Sequence, residues 1–144
     1  VVEEGLRSGA IAEFAGYNVR AEVPYHDSRI DFLLQRRGEQ VLVEVKNVTL
    51  CLSPEIACFP DAVTTRGQKH LRELARARAE GYRSVIFFLV QRAEATSFTP
   101  ADAIDPLYGQ LLREVTAAGV EVLAYRSVVT EVMTSVGVRI PVCL

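Results

Sequence analysis

Ser28-Arg29-Ile30-Asp31-Phe32-Leu33-Leu34, followed after a short break by Val41-Leu42-Val43-Glu44-Val45-Lys46-Asn47-Val48, decides how this chain is read. β-branched and aliphatic residues dominate both runs, which predicts two strands, and Arg36-Arg37-Gly38-Glu39 supplies the turn between them. Side chains alternate across a strand, so Glu44 and Lys46 share one face while Val43 and Val45 share the other. Arg29, Asp31 and Leu33 likewise share a face. A hairpin then brings Asp31 beside Glu44 and Lys46, placing two carboxylates and one ammonium in an apolar ladder. Burying such charges without partners is costly. A divalent cation held by the two acids relieves that cost, and phosphodiester hydrolysis needs such an ion. Glu-x-Lys also occurs on exposed strands as one half of cross-strand ion pairs. Choosing between the two readings requires the remaining elements.

Glu3 to Ala15 reads as a first helix, with Val2, Leu6, Gly9 and Ala10 on one stripe, Glu13 at the centre of that stripe and Gly16 as the stop. Asn18 to Val23 alternates as a strand. Leu50 to Thr64 contains Pro54, Pro60 and many small or polar residues, and reads as a loop of the length often reserved for function. Thr64 or Thr65 caps a helix that runs to about Glu80 and ends at Gly81. Leu71, Leu74 and Ala75 form its apolar side; Arg66, Lys69, Arg72 and Arg76 lie opposite. Ser84 to Gln91 holds the continuous apolar run Val85-Ile86-Phe87-Phe88-Leu89-Val90, the pattern of a buried central strand. Ser97 to Asp105 reads as a loop, Pro106 to about Ala118 as a helix stopped by Gly119, and Val120 to Tyr125 as a short strand. Val128 to Val132 fits either strand or helix, and Ile140-Pro141-Val142 an extended tail. Early strands joined by short turns pair antiparallel, and later strand–helix–strand units add parallel neighbours by right-handed crossovers. The expected fold is a mixed β-sheet sandwiched by helices, class α/β.

Hydrophobic residues make up 49% of the 144, as in globular chains. The longest apolar run is too short to span a bilayer, so no membrane partner is expected. No secretory leader or lipidation motif is visible. The first residue is Val1 rather than Met, which fits a piece of a longer protein. Cys51, Cys58 and Cys143 are odd in number and lack zinc spacing. Reduced thiols of a cytosolic protein are the simplest reading, and a Cys51–Cys58 disulfide stays open. The net charge of −2 does not mark a nucleic-acid binder. However, Arg66, Lys69, His70, Arg72, Arg76, Arg78 and Arg83 crowd into one stretch, and local potential decides phosphate attraction. The sequence has no Gly-rich phosphate loop, Gly-x-Ser-x-Gly elbow or paired histidines for zinc, and its tyrosines are too scattered to form a base-stacking platform.

An acid on one strand followed by Glu-x-Lys on the next resembles the PD-(D/E)xK nuclease pattern, and the order αβββαβ is similar to the core of that restriction-endonuclease-like superfamily. The literal Pro60-Asp61 is a decoy: it follows Glu44-Val45-Lys46 in a loop, and Ile30 precedes Asp31. The resemblance implies that Asp31 and Glu44 bind Mg²⁺ or Mn²⁺, with the Val45 carbonyl as a further ligand and Glu13 as a further acid. It implies that Lys46 orients or deprotonates the attacking water and offsets charge on the scissile phosphate. Taken alone, Glu13 is better read as the partner of a neighbouring Arg. The cationic helix side either tracks a phosphate backbone or is solvated and paired with Glu73 and Glu80. His70 reads as a packing or hydrogen-bonding residue, and Gln91 ends its strand within reach of the site.

Further stretches are similar to one family. They are Ser28-Arg29-Ile30-Asp31-Phe32, Val43-Glu44-Val45-Lys46-Asn47-Val48-Thr49-Leu50, Phe59-Pro60-Asp61-Ala62, Thr65-Arg66-Gly67-Gln68-Lys69-His70-Leu71, Gly81-Tyr82-Arg83, Phe87-Phe88-Leu89-Val90-Gln91-Arg92, Ile104-Asp105-Pro106 and Leu123-Ala124-Tyr125. In this order they resemble the sugar fermentation stimulation protein A (SfsA) family across nearly the whole chain. The run between Leu50 and Phe59 departs from the family by carrying Cys51, Pro54 and Cys58. The resemblance implies a prokaryotic, cytoplasmic, non-sequence-specific DNA-binding protein linked to regulation of maltose metabolism. It also implies an N-terminal OB-like domain ahead of the nuclease-like one, so residues 1–144 are expected to be the C-terminal domain alone. Two functions follow. One is a Mg²⁺-dependent DNA phosphodiesterase using Asp31, Glu44 and Lys46, with Arg29, Arg66, Lys69, Arg72 and Arg76 on phosphates. The other is a DNA-binding regulator that keeps the nuclease fold without cutting, since fold kinship does not establish catalysis.

Overall fold

Arg37 and Gly38 both take positive φ, 51° and 80°, and together close the two-residue turn expected between the deciding strands. Such a turn twists with its flanking strands, and glycine adopts that backbone without steric cost. The structure is a computed structural model describing residues 1–130 and 132–144. In chain order its elements are α1 (Val2–Ser8), β1 (Asn18–Tyr25), β2 (Ser28–Arg36), β3 (Glu39–Val48), β4 (Leu50–Ser53), β5 (Ile56–Phe59), α2 (Thr65–Ala79), β6 (Arg83–Val90), β7 (Ser97–Pro100), α3 (Pro106–Ala117), β8 (Glu121–Val129) and β9 (Thr134–Ile140).

The main sheet has the spatial order β1-β2-β3-β6-β8-β9. β1, β2 and β3 form an antiparallel meander; β6 and β8 add in parallel; β9 returns antiparallel at the edge. Ile86, Phe88 and Val90 of β6 pack with Leu71 and Leu74 of α2 and Leu112 of α3. Val85, Phe87 and Leu89 pack on the other face with Val2 and Leu6 of α1. The uninterrupted apolar run of β6 is what burial on both faces requires. The mixed α/β sandwich is therefore present. Both long helices start as expected: the Thr64 hydroxyl accepts the Gly67 N–H at 2.9 Å, and Asp105 accepts the Tyr108 N–H at 3.0 Å just ahead of Pro106.

Three local expectations are corrected. The first helix does not reach Ala15. It stops at Ser8, where Gly9 takes the left-handed conformation at φ 81°, and a separate 3-10 turn spans Ala12–Phe14. The segment 50–64 is not simply a loop, and neither is 97–105. β4 and β5 form a hairpin, and β7 joins β5 in parallel to make a second, three-stranded sheet. Strands this short carry little periodicity of their own, so their pairing depends on partners far along the chain. Further on, Val128 and Val129 end β8, Thr134–Ile140 forms the edge strand β9, and Val142 is extended as expected, bridging Phe98 in parallel. The Val128 to Val132 stretch also includes residue 131, which lies outside the described residues. All three cysteines are free thiols. Among the described residues, no helix is long and apolar enough to cross a membrane.

Candidate functional site

β2 and β3 are paired from Arg36↔Glu39 to Phe32↔Val43. Beyond that point the ladder opens, and Asp31 stands at the opening. Its Oδ2 accepts the Val45 N–H at 2.8 Å. β3 continues alongside β6, with Glu44 opposite Ile86 and Lys46 opposite Phe88. Glu44 and Lys46 share the face of Leu42 and Val48, whose clusters include residues of α2. From α2, His70 meets them: Lys46 Nζ donates to His70 Nδ1 at 2.6 Å. Glu44 Oε1 is 3.5 Å from that nitrogen and 4.0 Å from Lys46 Nζ.

Glu44 is only 4% exposed, and its Oε2 has no hydrogen-bond partner among the described residues. Burial, followed by repulsion from the Asp31 carboxylate, pushes its carboxyl up to about 8 against the pull of Lys46. Burial lowers the Lys46 ammonium from its usual range, the two acids resist, and Arg66 adds to the lowering. Burial, then Lys46 and Arg66, push His70 down to about 4, so the imidazole is neutral near pH 7. A neutral ring accepting at Nδ1 carries its proton on Nε2.

The structure brings Asp31, Glu44 and Lys46 together. It does not bring Glu13. Because α1 ends at Gly9, Glu13 falls in the 3-10 turn, where it accepts a hydrogen bond from Tyr125 Oη and pairs with Arg139 at 3.2 Å. Arg29 is exposed, two residues before Asp31 on the same strand. Arg66, Lys69, Arg72 and Arg76 are all exposed on α2. Lys69 lies 3.8 Å from Asp27 and 3.6 Å from Glu73, and Arg76 lies 4.0 Å from Glu80. Among the described residues Arg29, Arg66 and Arg72 take part in no ion pair.

Sequence reasoning passed over Glu3, Asn47 and the full part of His70. A cleft of about 610 Å³ opens at the ends of β2, β3 and β6, lined among others by Glu3, Asp31, Val45, Asn47 and Gln91. It lies on the α1 side of the sheet. Glu44 and Lys46 lie on the α2 side, and Asp31 at the strand edge borders both. Glu3 carried no distinguishing signal, because its approach depends on how α1 docks. Among the described residues, no three His, Cys, Asp or Glu side chains are grouped to hold a metal by themselves. Two carboxylates, one with an oxygen that receives no donor among the described residues, suit a hard cation that keeps several waters.

The family profile described as "Sugar fermentation stimulation protein RE domain" matches residues 1–133. The chain belongs to the sugar fermentation stimulation protein (SfsA) family. A "Sugar fermentation stimulation protein homolog" from Syntrophotalea carbinolica is 59% identical over 144 residues, covering 100% of this chain and 62% of the homologue. One from Geobacter sulfurreducens is 53% identical, covering 99% and 61%. The solved "structure of Pyrococcus Furiosus SfsA in complex with Ca2+" matches with a TM-score of 0.91 and 27% identity, over 99% of this chain and 62% of that one. The chain thus spans about three fifths of the length of these SfsA relatives.

Proposed function

We propose that this chain holds a divalent cation between Asp31 and Glu44 and hydrolyses phosphodiester bonds in DNA carried along the cationic side of α2, in a PD-(D/E)xK-type site. The observation that carries this reading is Glu44: a buried carboxyl group set against a second acid, with one oxygen that no donor reaches among the described residues. A carboxylate so perturbed costs stability and is characteristic of functional sites. The SfsA relative from Pyrococcus furiosus was solved with Ca²⁺, an ion that takes oxygen ligands as Mg²⁺ and Mn²⁺ do. When bound, such an ion acts as a Lewis acid and lowers the pKa of an attacking water. Asp31 and Glu44 supply the ligand oxygens, joined by the Val45 carbonyl. Lys46, tethered beside Glu44, orients the water and offsets charge on the scissile phosphate. Arg66 sits close enough to depress both Lys46 and His70, so it extends positive potential over the site. Arg29, Lys69, Arg72 and Arg76 continue that potential for the phosphate backbone. The free thiols suit a reducing cytoplasm.

A second reading, a regulator that binds DNA without cutting, is favoured by the separation of Glu13 from the cluster, which leaves the ion with two carboxylates. The two readings are separated by incubating the whole protein with plasmid and single-stranded DNA in Mg²⁺ or Mn²⁺, beside Asp31→Ala and Lys46→Ala. Cleavage lost in both variants supports the nuclease. Steeply salt-dependent binding without cleavage supports the regulator, and absence of both DNA binding and cation uptake ends both readings.

A further inference from the structure

We propose that His70 is a positioning residue that holds Lys46 away from Glu44 and so keeps that acid open for a divalent cation. The inference rests on the metal-site reading above. An ammonium beside an acid normally closes to a short hydrogen bond, because a carboxyl oxygen accepts whether the acid is ionised or protonated. Here Lys46 Nζ stays 4.0 Å from Glu44 Oε1 and gives its short bond, 2.6 Å, to His70 Nδ1 instead. His70 is buried on α2, a helix anchored by the Thr64 cap and by Leu71 and Leu74 in the core. The acceptor is therefore rigidly placed. With Lys46 charged, the ring accepts at Nδ1 and carries its proton on Nε2. Glu44 Oε2 meanwhile receives no hydrogen bond among the described residues.

Without the acceptor at Nδ1, the nearest carboxylate oxygen for Lys46 among the described residues is Glu44 Oε1. A direct Lys46–Glu44 contact there must be broken before a cation enters, so His70→Leu lowers affinity for Mg²⁺ and Ca²⁺ by about tenfold or more, as loss of outer partners does at metal sites. His70→Asn keeps an acceptor oxygen near the Nδ1 position and restores affinity. In a Lys46→Ala background, His70→Leu has no further effect, because the competitor is gone.

The test is calorimetric titration of the whole protein and these variants with Mg²⁺ and Ca²⁺ in the absence of DNA, together with ¹⁵N spectra of the imidazole. The expected result is weak binding by His70→Leu, recovery in His70→Asn, no added loss in Lys46→Ala, and an Nε2-protonated ring. Wild-type affinity in His70→Leu overturns the inference. So does an equal loss with or without Lys46, or an Nδ1-protonated ring. Failure of the wild type to take up either cation overturns the metal-site reading itself, and the role given to His70 falls with it.

Discussion

Glu44 keeps its proton to about pH 8 when folded, against an ordinary 4.5. Between those values the folded chain binds more protons than the unfolded one, so stability falls as pH rises through that window and levels off above it. Glu44→Gln cannot ionise. Without divalent cation it is predicted to be more stable than wild type by roughly 3–5 kcal/mol above about pH 8, a gain that vanishes toward pH 4.5. Guanidinium unfolding over a pH series measures the difference; a gap independent of pH would mean that the carboxylate is not strained. A cation must displace the same proton, so Mg²⁺ affinity should rise by about tenfold per pH unit below about pH 8 and then flatten. Asp31, Glu44 and Lys46 were legible because period-two alternation and a short turn place them together whatever surrounds the hairpin. Glu13 was misplaced for the opposite reason: its apparent stripe assumes one continuous helix, which Gly9 interrupts.

Helix α2 joins the chemistry to the framework. Asp105, the cap of α3, also accepts the Thr64 N–H at 3.0 Å and two contacts from Gln68 Nε2 at 3.0 and 3.1 Å. Burial opposes its charge, but these donors and the Tyr108 N–H outweigh burial and hold its carboxyl below the usual range. Its stabilisation is complete above the ordinary carboxylate pKa and is lost as pH falls through the lowered one. Asp105→Ala removes a cap and leaves buried donors unpaired, so a loss of about 2–4 kcal/mol is expected in denaturant unfolding. On the outer side of the same helix, Arg66 and Arg72 lack ion-pair partners among the described residues, whereas Lys69 and Arg76 lie near acids. Replacing Arg66 and Arg72 together by Ala should therefore reduce the salt slope of DNA binding by about two, while the pair Lys69 and Arg76 gives less. Binding measured between low and moderate salt decides this, and unchanged slopes would make the cationic side only a solvated face. The helix and its cap were readable from Thr64, Gly81 and the Leu71–Leu74 spacing. Its coupling to α3 was not, because Thr64 and Asp105 meet across a long stretch of chain.

The two cores on either face of β6 hold the molecule together, and the second sheet is fastened to one of them. Phe98 of β7 stacks on Phe88 of β6 with ring centroids 4.2 Å apart, and Phe59 of β5 lies 5.7 Å from the same ring. Phe98→Ala should cost about 3–5 kcal/mol. Hydrogen exchange should show that loss first in β4, β5 and β7, ahead of the main sheet. The hairpin strands, the apolar central strand, the Thr64 cap, the helix start at Pro106 and the acidic pair followed from local chemistry: turn residues, alternation and burial act between near neighbours, so they can be read along the chain. The second sheet, the edge strand β9, the arrival of His70 at Lys46 and the approach of Glu3 to the cleft could not be read that way. Each depends on segments meeting through core packing, which depends on how the whole chain collapses and leaves no period or spacing in the residues involved.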